Sequence, residues 1–148
     1  MLKTFKLFEE ISGTLVPIEF ASLPFEPRRV FYVYGVPKGE ERGMHAHYKT
    51  EQILICIKGQ IKVKLHDGEI ASEIILNPND HIYIGKMVWD SQVFLTGEDV
   101  LLSLCSTKYD KLDYIEDFFQ FVDMVKTNRK TKPIKSAFIT NVPYFAVW

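Results

Sequence analysis

Two cysteines, a formal net charge of -1 and no apolar run of membrane-spanning length define what this 148-residue chain is not. Cys56 and Cys105 each lie within an apolar, strand-like run. They read as buried free thiols in a reducing cytosol, neither a disulfide staple nor a nucleophile. Acidic and basic residues nearly cancel, so the chain offers no basic face for nucleic acid and lacks the charge excess of a disordered segment. Met1 to Glu10 has no apolar core of the kind a secretion signal carries, which points to a cytoplasmic protein without a membrane partner.

What the sequence does hold is apolar and aromatic: 47% hydrophobic residues and 14% aromatics, with 11 Phe and 7 Tyr. A chain of this length is expected to form one domain, residues 1–148, and to bury about two-thirds of its unfolded surface. It can therefore enclose a cavity without staples. Short β-branched and aromatic runs alternate with turn signals along most of it. They read as strands over 5–10, 14–20, 28–36, the stretch from Arg42, two strands turning at Lys58-Gly59, a hairpin at Asp67-Gly68, then 70–76, 81–84, 88–95 and 100–106. Eight or more such strands predict a mainly β fold, an antiparallel barrel or jelly roll. After Ser106 the spacing turns helical, with apolar residues at 114, 115, 118, 121, 122 and 125. One helix is expected there, capped by Asp110 or Asp113. The apolar end, Phe145 to Trp148, is expected to pack on this barrel or on a second subunit.

The chemistry is concentrated in Arg42-Gly43-Met44-His45-Ala46-His47, followed by Glu51 and Gln52. On a strand, His45 and His47 share a face, with Arg42 and Glu51 expected beside them. Two imidazoles at this spacing serve either as hydrogen-bonded structural residues or as a site; the charged neighbours favour the site. Of Glu51 and Gln52, only one can point inward.

The spacing of Gly39, His45, His47, Glu51 and Gly59 resembles the first motif of the cupins, with one extra residue before Gly59. In metal-binding members a second motif supplies a further histidine. The corresponding stretch here, Gly85-Lys86-Met87-Val88-Trp89-Asp90, lacks that histidine and its turn residues. Asp90 alone offers an oxygen ligand, so no metal and no cofactor are expected. A closer resemblance covers nearly the whole chain. Arg29 to Tyr34, Arg42 to His47, Gln52 to Cys56, Val88-Trp89 and Asp113 to Ile115 are similar to the sugar 3,4-ketoisomerases, metal-independent cupins acting on dTDP-4-keto-6-deoxy-D-glucose. That resemblance implies a homodimer with a dTDP-linked keto-sugar in the barrel mouth, serving deoxyamino sugar and glycan biosynthesis.

Moving a carbonyl from C4 to C3 requires a base at C3, a stabilised enediolate and a proton returned to C4. Histidine suits the proton transfers, and arginine suits an oxyanion or a diphosphate. The assignment that follows is His47 as principal base with His45 as partner or acid, in either order. Tyr34 is a hydroxyl donor or a plain strand tyrosine. Arg42 and Gln52 are substrate ligands, and Trp89 either stacks on thymine or sugar or simply packs. Two alternatives accompany this reading. One is a dTDP-sugar 3,5-epimerase-like cupin, whose His–Asp arrangement is not evident in the sequence; the other is a non-catalytic sugar- or metal-binding cupin.

Overall fold

The computed structural model describes residues 2–131, so the expectation for Phe145 to Trp148 lies outside the described residues. Twelve strands and one helix follow in order: β1 Lys3–Thr4, β2 Phe8–Glu10, β3 Gly13–Leu15, β4 Arg29–Val33, β5 Glu41–His47, β6 Gln52–Lys58, β7 Ile61–His66, β8 Ala71–Leu76, β9 Asp80–Ile84, β10 Trp89–Phe94, β11 Val100–Cys105, β12 Tyr114–Ile115 and α1 Phe118–Thr131. Two five-stranded sheets, ordered β1-β9-β6-β11-β4 and β12-β5-β10-β7-β8, carry the core of a jelly-roll sandwich. β2 and β3 form a separate hairpin.

Side-chain alternation explains the layers. Leu54, Cys56, Leu101, Ile82 and Ile84 from one sheet meet Ile61, Val63, Leu65, Leu76 and Phe94 from the other. The outer face of β6 is buried as well. There Ile53 and Ile55 pack with Leu104 beneath Phe5, Ile18, Leu23 and Phe25 of the N-terminal segment. Burial on both faces is why β6 reads as an unbroken apolar run. Both thiols are free and buried, and burial pushes Cys56 up to about 12, which removes it as a nucleophile at neutral pH.

The helix begins later than its spacing predicts. Asp110 caps a short 3-10 turn, Lys111–Asp113, its carboxylate accepting the Leu112 N–H at 2.9 Å. Tyr114 and Ile115 then pair with His47 and Ala46 of β5. The residue that opens α1 is Asp117, which accepts the Gln120 N–H at 2.8 Å. Its apolar side, with Phe118, Phe121 and Val125, covers Ala46, Ile115 and Trp89 on the outer face of β5, β12 and β10. The helix's C-terminal end is tied down by Arg129, which pairs with Glu69 at 2.7 Å and Asp67 at 3.2 Å. Gly68, at φ +98°, must remain glycine because a Cβ there would meet Val125 Cγ1 at 2.8 Å.

Candidate active site

β5 carries a bulge at the motif itself. Opposite β10, His45 faces Asp90, Gly43 faces Ser91 and Arg42 faces Gln92, so Met44 is the extra residue. Gly43 and Met44 both take positive φ, +85° and +57°, and Met44 is turned outward. Strict alternation would set Arg42 against the histidines. The bulge restores it to their face, since Asp90 and Gln92 lie two apart on one side of β10. Any side chain at position 43 would also crowd Gln92 Oε1 at 3.0 Å.

His45 and His47 therefore both look between the sheets, with ring centroids 4.9 Å apart and edge to face. His47 is 3% exposed. Its Nδ1 lies 3.1 Å from Asp113 Oδ2. Asp113 also accepts the Lys49 N–H at 2.7 Å, the Thr50 N–H at 3.2 Å and the Thr50 hydroxyl at 2.5 Å. Burial opposes ionisation of Asp113, yet these donors hold its carboxyl below the usual value. An ionised carboxylate can only accept, so the His47 proton sits on Nδ1 and the Nε2 lone pair is left for something else. Nε2 has no protein partner.

Burial first, then the neighbouring His45, lowers His47 to about 4. Burial likewise lowers His45, which is half-buried and bonded to the Gly43 backbone. Both rings are neutral at pH 7 and ready to accept a proton. Tyr114, opposite His47 in the β5–β12 pair, closes the cluster, with its ring 4.3 Å from His47 and 5.0 Å from His45. From the other sheet Arg29 interacts with the Tyr114 phenol and the Cys105 thiol. Gln52 is buried beside them, donating to Cys105 Sγ at 3.7 Å.

Of the residues singled out in the sequence, the structure gathers His45, His47 and Gln52 on facing inner surfaces, while Arg42 shares their face by register but has an exposed side chain. It does not bring Tyr34 or Trp89 to the histidines. Tyr34 is 69% exposed and stacks on Tyr32 at 5.9 Å. With Arg42 it lines a depression of about 510 Å3 at the rim between β4 and β5. Trp89 lies on the outer face, against Phe118 at 5.2 Å and Phe121 at 5.7 Å, so its packing alternative is what the fold uses. Glu51 also points outward, accepting the Tyr83 hydroxyl and pairing with Lys86 at 3.9 Å. The inward member of that neighbouring pair is Gln52.

The donor set does not suit a metal. Glu51 is turned away, and the described residues contain no group of three or more His, Cys, Asp or Glu placed to hold an ion. Asp90 is fully buried, accepts the Gln92 amide and is raised to about 7 by burial, which favours its neutral form over the carboxylate a divalent ion needs.

Two residues central to this cluster had no place in the site assigned from the sequence: Arg29 had no role, and Asp113 was expected only as a helix cap, whereas its carboxylate serves His47, Lys49 and Thr50. Asp113 lies 66 positions from His47, and no spacing rule links them. The pair also corrects an expectation, because a His–Asp arrangement is present and does not by itself set this chain apart from the epimerases.

The family profile described as FdtA: WxcM-like, C-terminal matches residues 1–126. The chain is 39% identical over 119 residues, 79% of its length and 86% of the relative's, to TDP-4-oxo-6-deoxy-alpha-D-glucose-3,4-oxoisomerase of Aneurinibacillus thermoaerophilus. QdtA, a sugar 3,4-ketoisomerase from Thermoanaerobacterium thermosaccharolyticum solved with TDP, superimposes with a TM-score of 0.82 at 38% identity, covering 86% of this chain and 95% of that one. A histidine-to-asparagine variant of that enzyme, solved with TDP-4-keto-6-deoxyglucose, aligns with a TM-score of 0.81 at 37% identity, over 86% and 94% of the two chains. The rmlC epimerase of Mycobacterium tuberculosis shares the fold alone, with a TM-score of 0.66 at 16% identity over 76% and 66% of the two chains. With its profile match and its pair of inward histidines, this chain belongs to the FdtA, WxcM-like family of cupin-fold sugar isomerases.

Proposed function

We propose that this chain is a 3,4-ketoisomerase of dTDP-4-keto-6-deoxy-D-glucose working by histidine acid–base chemistry. The observation that carries the mechanism is the buried His47–Asp113 pair, which fixes the tautomer and leaves Nε2 without a protein partner. In the forward step His47 Nε2 takes the proton from C3. The C–H electron pair becomes the C3–C4 double bond, and the C4 carbonyl pair moves to its oxygen as an enediolate. Loss of the proton from the C3 hydroxyl and delivery of a proton to C4 then give the 3-keto product, with no redox partner needed. His45, the more open imidazole, exchanges protons at the neighbouring oxygen or at C4.

Arg42 and Tyr34 at the rim suit the diphosphate, since guanidinium bonds two oxygens at once. Gln52 supplies an amide to the sugar. We further propose a single-domain subunit acting in the cytoplasm as a homodimer and feeding deoxyamino sugar and glycan assembly. Val30 and Tyr32 along edge strand β4, with Phe8, Ile11 and Leu15 of the β2–β3 hairpin, expose apolar surface that a second copy can cover. No described helix is long and apolar enough to cross a membrane.

The test is NMR of dTDP-4-keto-6-deoxyglucose with the protein in D2O. A 3-keto product carrying deuterium at C4 is expected. Inversion at C3 and C5 with the carbonyl still at C4 identifies an epimerase instead, the reading that the His47–Asp113 pair keeps in play.

A further inference from the structure

Arg29 is the one feature of this cluster that the acid–base assignment leaves unused. It opens β4, opposite Cys105 of β11, which in turn stands opposite Gln52 of β6. Alternation puts all three on the inner face of their sheet, looking across at His45, His47 and Tyr114. The guanidinium is held between aromatic rings, 5.7 Å from the centroid of Phe31 and 5.5 Å from that of Tyr109. Its remaining neighbours are the Tyr114 phenol and the Cys105 thiol. Among the described residues no carboxylate forms an ion pair with it, whereas Arg28 beside it pairs with Glu26 at 3.3 Å. Arg29 Nε is buried and has no hydrogen-bond partner.

A cation set partly out of water without a counter-ion is costly, so such an arrangement persists where an anion arrives to complete it. Two anions come with a keto-sugar nucleotide, the diphosphate and the enediolate. Position separates them. β4 and β5 are joined through residues 34–40, so Tyr34 and Arg42 lie at the opposite end of these strands from Arg29 and His47. Arg42 takes the rim and Arg29 takes the site of proton transfer. We propose that Arg29, aided by the Tyr114 hydroxyl, is the catalytic residue that stabilises the enediolate oxyanion. This rests on the ketoisomerase reading and extends it. When His47 accepts the C3 proton, the row becomes Asp113 negative, His47 positive, enediolate negative, Arg29 positive. In the resting site Arg29 faces neutral histidines, and its charge helps keep both of them deprotonated. It is thus complementary to the intermediate and not to the ground state.

The experiment compares Arg29→Met and Arg29→Lys with the wild type in the full chain. It reads kcat and KM on dTDP-4-keto-6-deoxyglucose, thymidine diphosphate affinity by calorimetry, the pH profile of kcat/KM and thermal melting. Arg29→Met is expected to lower kcat by on the order of 10²–10³ with thymidine diphosphate affinity retained. Its acidic limb is expected to shift to higher pH, because the histidines lose a repelling charge. Arg29→Lys keeps the charge, so it should keep the fold and the position of that limb while recovering only part of kcat. Normal kcat in a folded Lys or Met variant overturns the proposal. So does lost thymidine diphosphate affinity at unchanged kcat, which would make Arg29 a diphosphate ligand. Absence of C3-to-C4 carbonyl transfer in the wild type defeats the underlying function instead, a result visible before any variant is made.

Discussion

The space between the two sheets has two halves, built by the same strands and opposite in character. Along β6 the inward residues run Gln52, Leu54, Cys56, and along β11 they run Leu101, Ser103, Cys105. At the Leu101 and Cys56 end, Phe94, Ile61, Val63 and Leu76 close the gap with apolar side chains that are at most 1% exposed. At the Gln52 and Cys105 end stand Arg29, His45, His47 and Tyr114, with orphaned polar atoms at His47 Nε2 and Arg29 Nε. A packed core tolerates few such atoms, each costing about 1–3 kcal/mol. The difference teaches where the molecule stores stability and where it gives some up. The closed half holds the sheets at a fixed separation, so that the other half can keep unsatisfied groups at set positions.

The largest expected effect comes from breaking the polar half at His47. His47→Asn keeps size and polarity but removes the proton acceptor, so kcat should fall by about 10²–10⁴ while thymidine diphosphate affinity and melting hold. Asp113→Asn should act in the same direction, because an amide can offer Nδ1 a donor and select the wrong tautomer. Steady-state kinetics beside thermal unfolding reads both. A variant that melts lower but turns over normally per folded molecule would return the histidine to a purely structural role.

The mirror experiment is Phe94→Ala in the closed half. Truncating a fully buried phenylalanine costs about 3–5 kcal/mol of stability. Turnover per folded molecule should be unchanged, because Phe94 sits at the far end of the inter-sheet space. Chemical denaturation and active-site titration together decide this; equal losses of stability and kcat would show that the two halves are not separable.

The boundary between the halves is sharpened by Asp90, an acid with no exposure whose carboxyl is raised from 3.8 to about 7 by burial. In the unfolded chain it ionises near 3.8, so stability is lost as pH rises from there to about 7 and then levels off. Asp90→Asn removes this loss. Relative to wild type it should gain up to about 4 kcal/mol between pH 4 and pH 8, measured by urea unfolding at both. His47, lowered to about 4, contributes the opposite slope, since the unfolded state takes up its proton first as pH falls below 6.5. A constant difference in stability between the wild type and the Asp90→Asn variant across that range would mean that Asp90 is ionised and paired.

The same division marks how far the sequence could be read. Period-2 alternation located β4 to β11 within a few residues, because each strand has at least one buried face and turn signals such as Lys58-Gly59, Asp67-Gly68 and Asn77-Pro78 fall between them. His45 and His47 were legible as an inward pair for the same reason. Three features were not. The bulge at Met44 depends on a positive φ at a residue that gives no signal of it. Tyr114 and Ile115 satisfy helical spacing with Phe118 and Phe121, yet the β5 edge captures them as a strand, which is what delivers Asp113 to His47. Trp89 gave no sign in the sequence of which face it takes, and the outer face needed an aromatic residue beneath α1.

The smallest expected effect is none at all, from a chelator. The first cupin motif is present in spacing, but its glutamate is committed on the outer surface to Tyr83 and Lys86. The position of the missing histidine lies near Asp90, whose carboxyl is buried, engaged by Gln92 and raised in pKa, a poor donor for a divalent ion. His47 already gives Nδ1 to Asp113, an arrangement that also orients histidines on metals, so the test must be made on activity and not inferred from that pair. Extended dialysis against EDTA should leave kcat and KM unchanged, and elemental analysis of the active protein should show no stoichiometric transition metal. Turnover lost to EDTA and restored by one particular divalent ion would overturn the proton-transfer scheme, because the oxyanion would then rest on the metal and Arg29 would need another purpose.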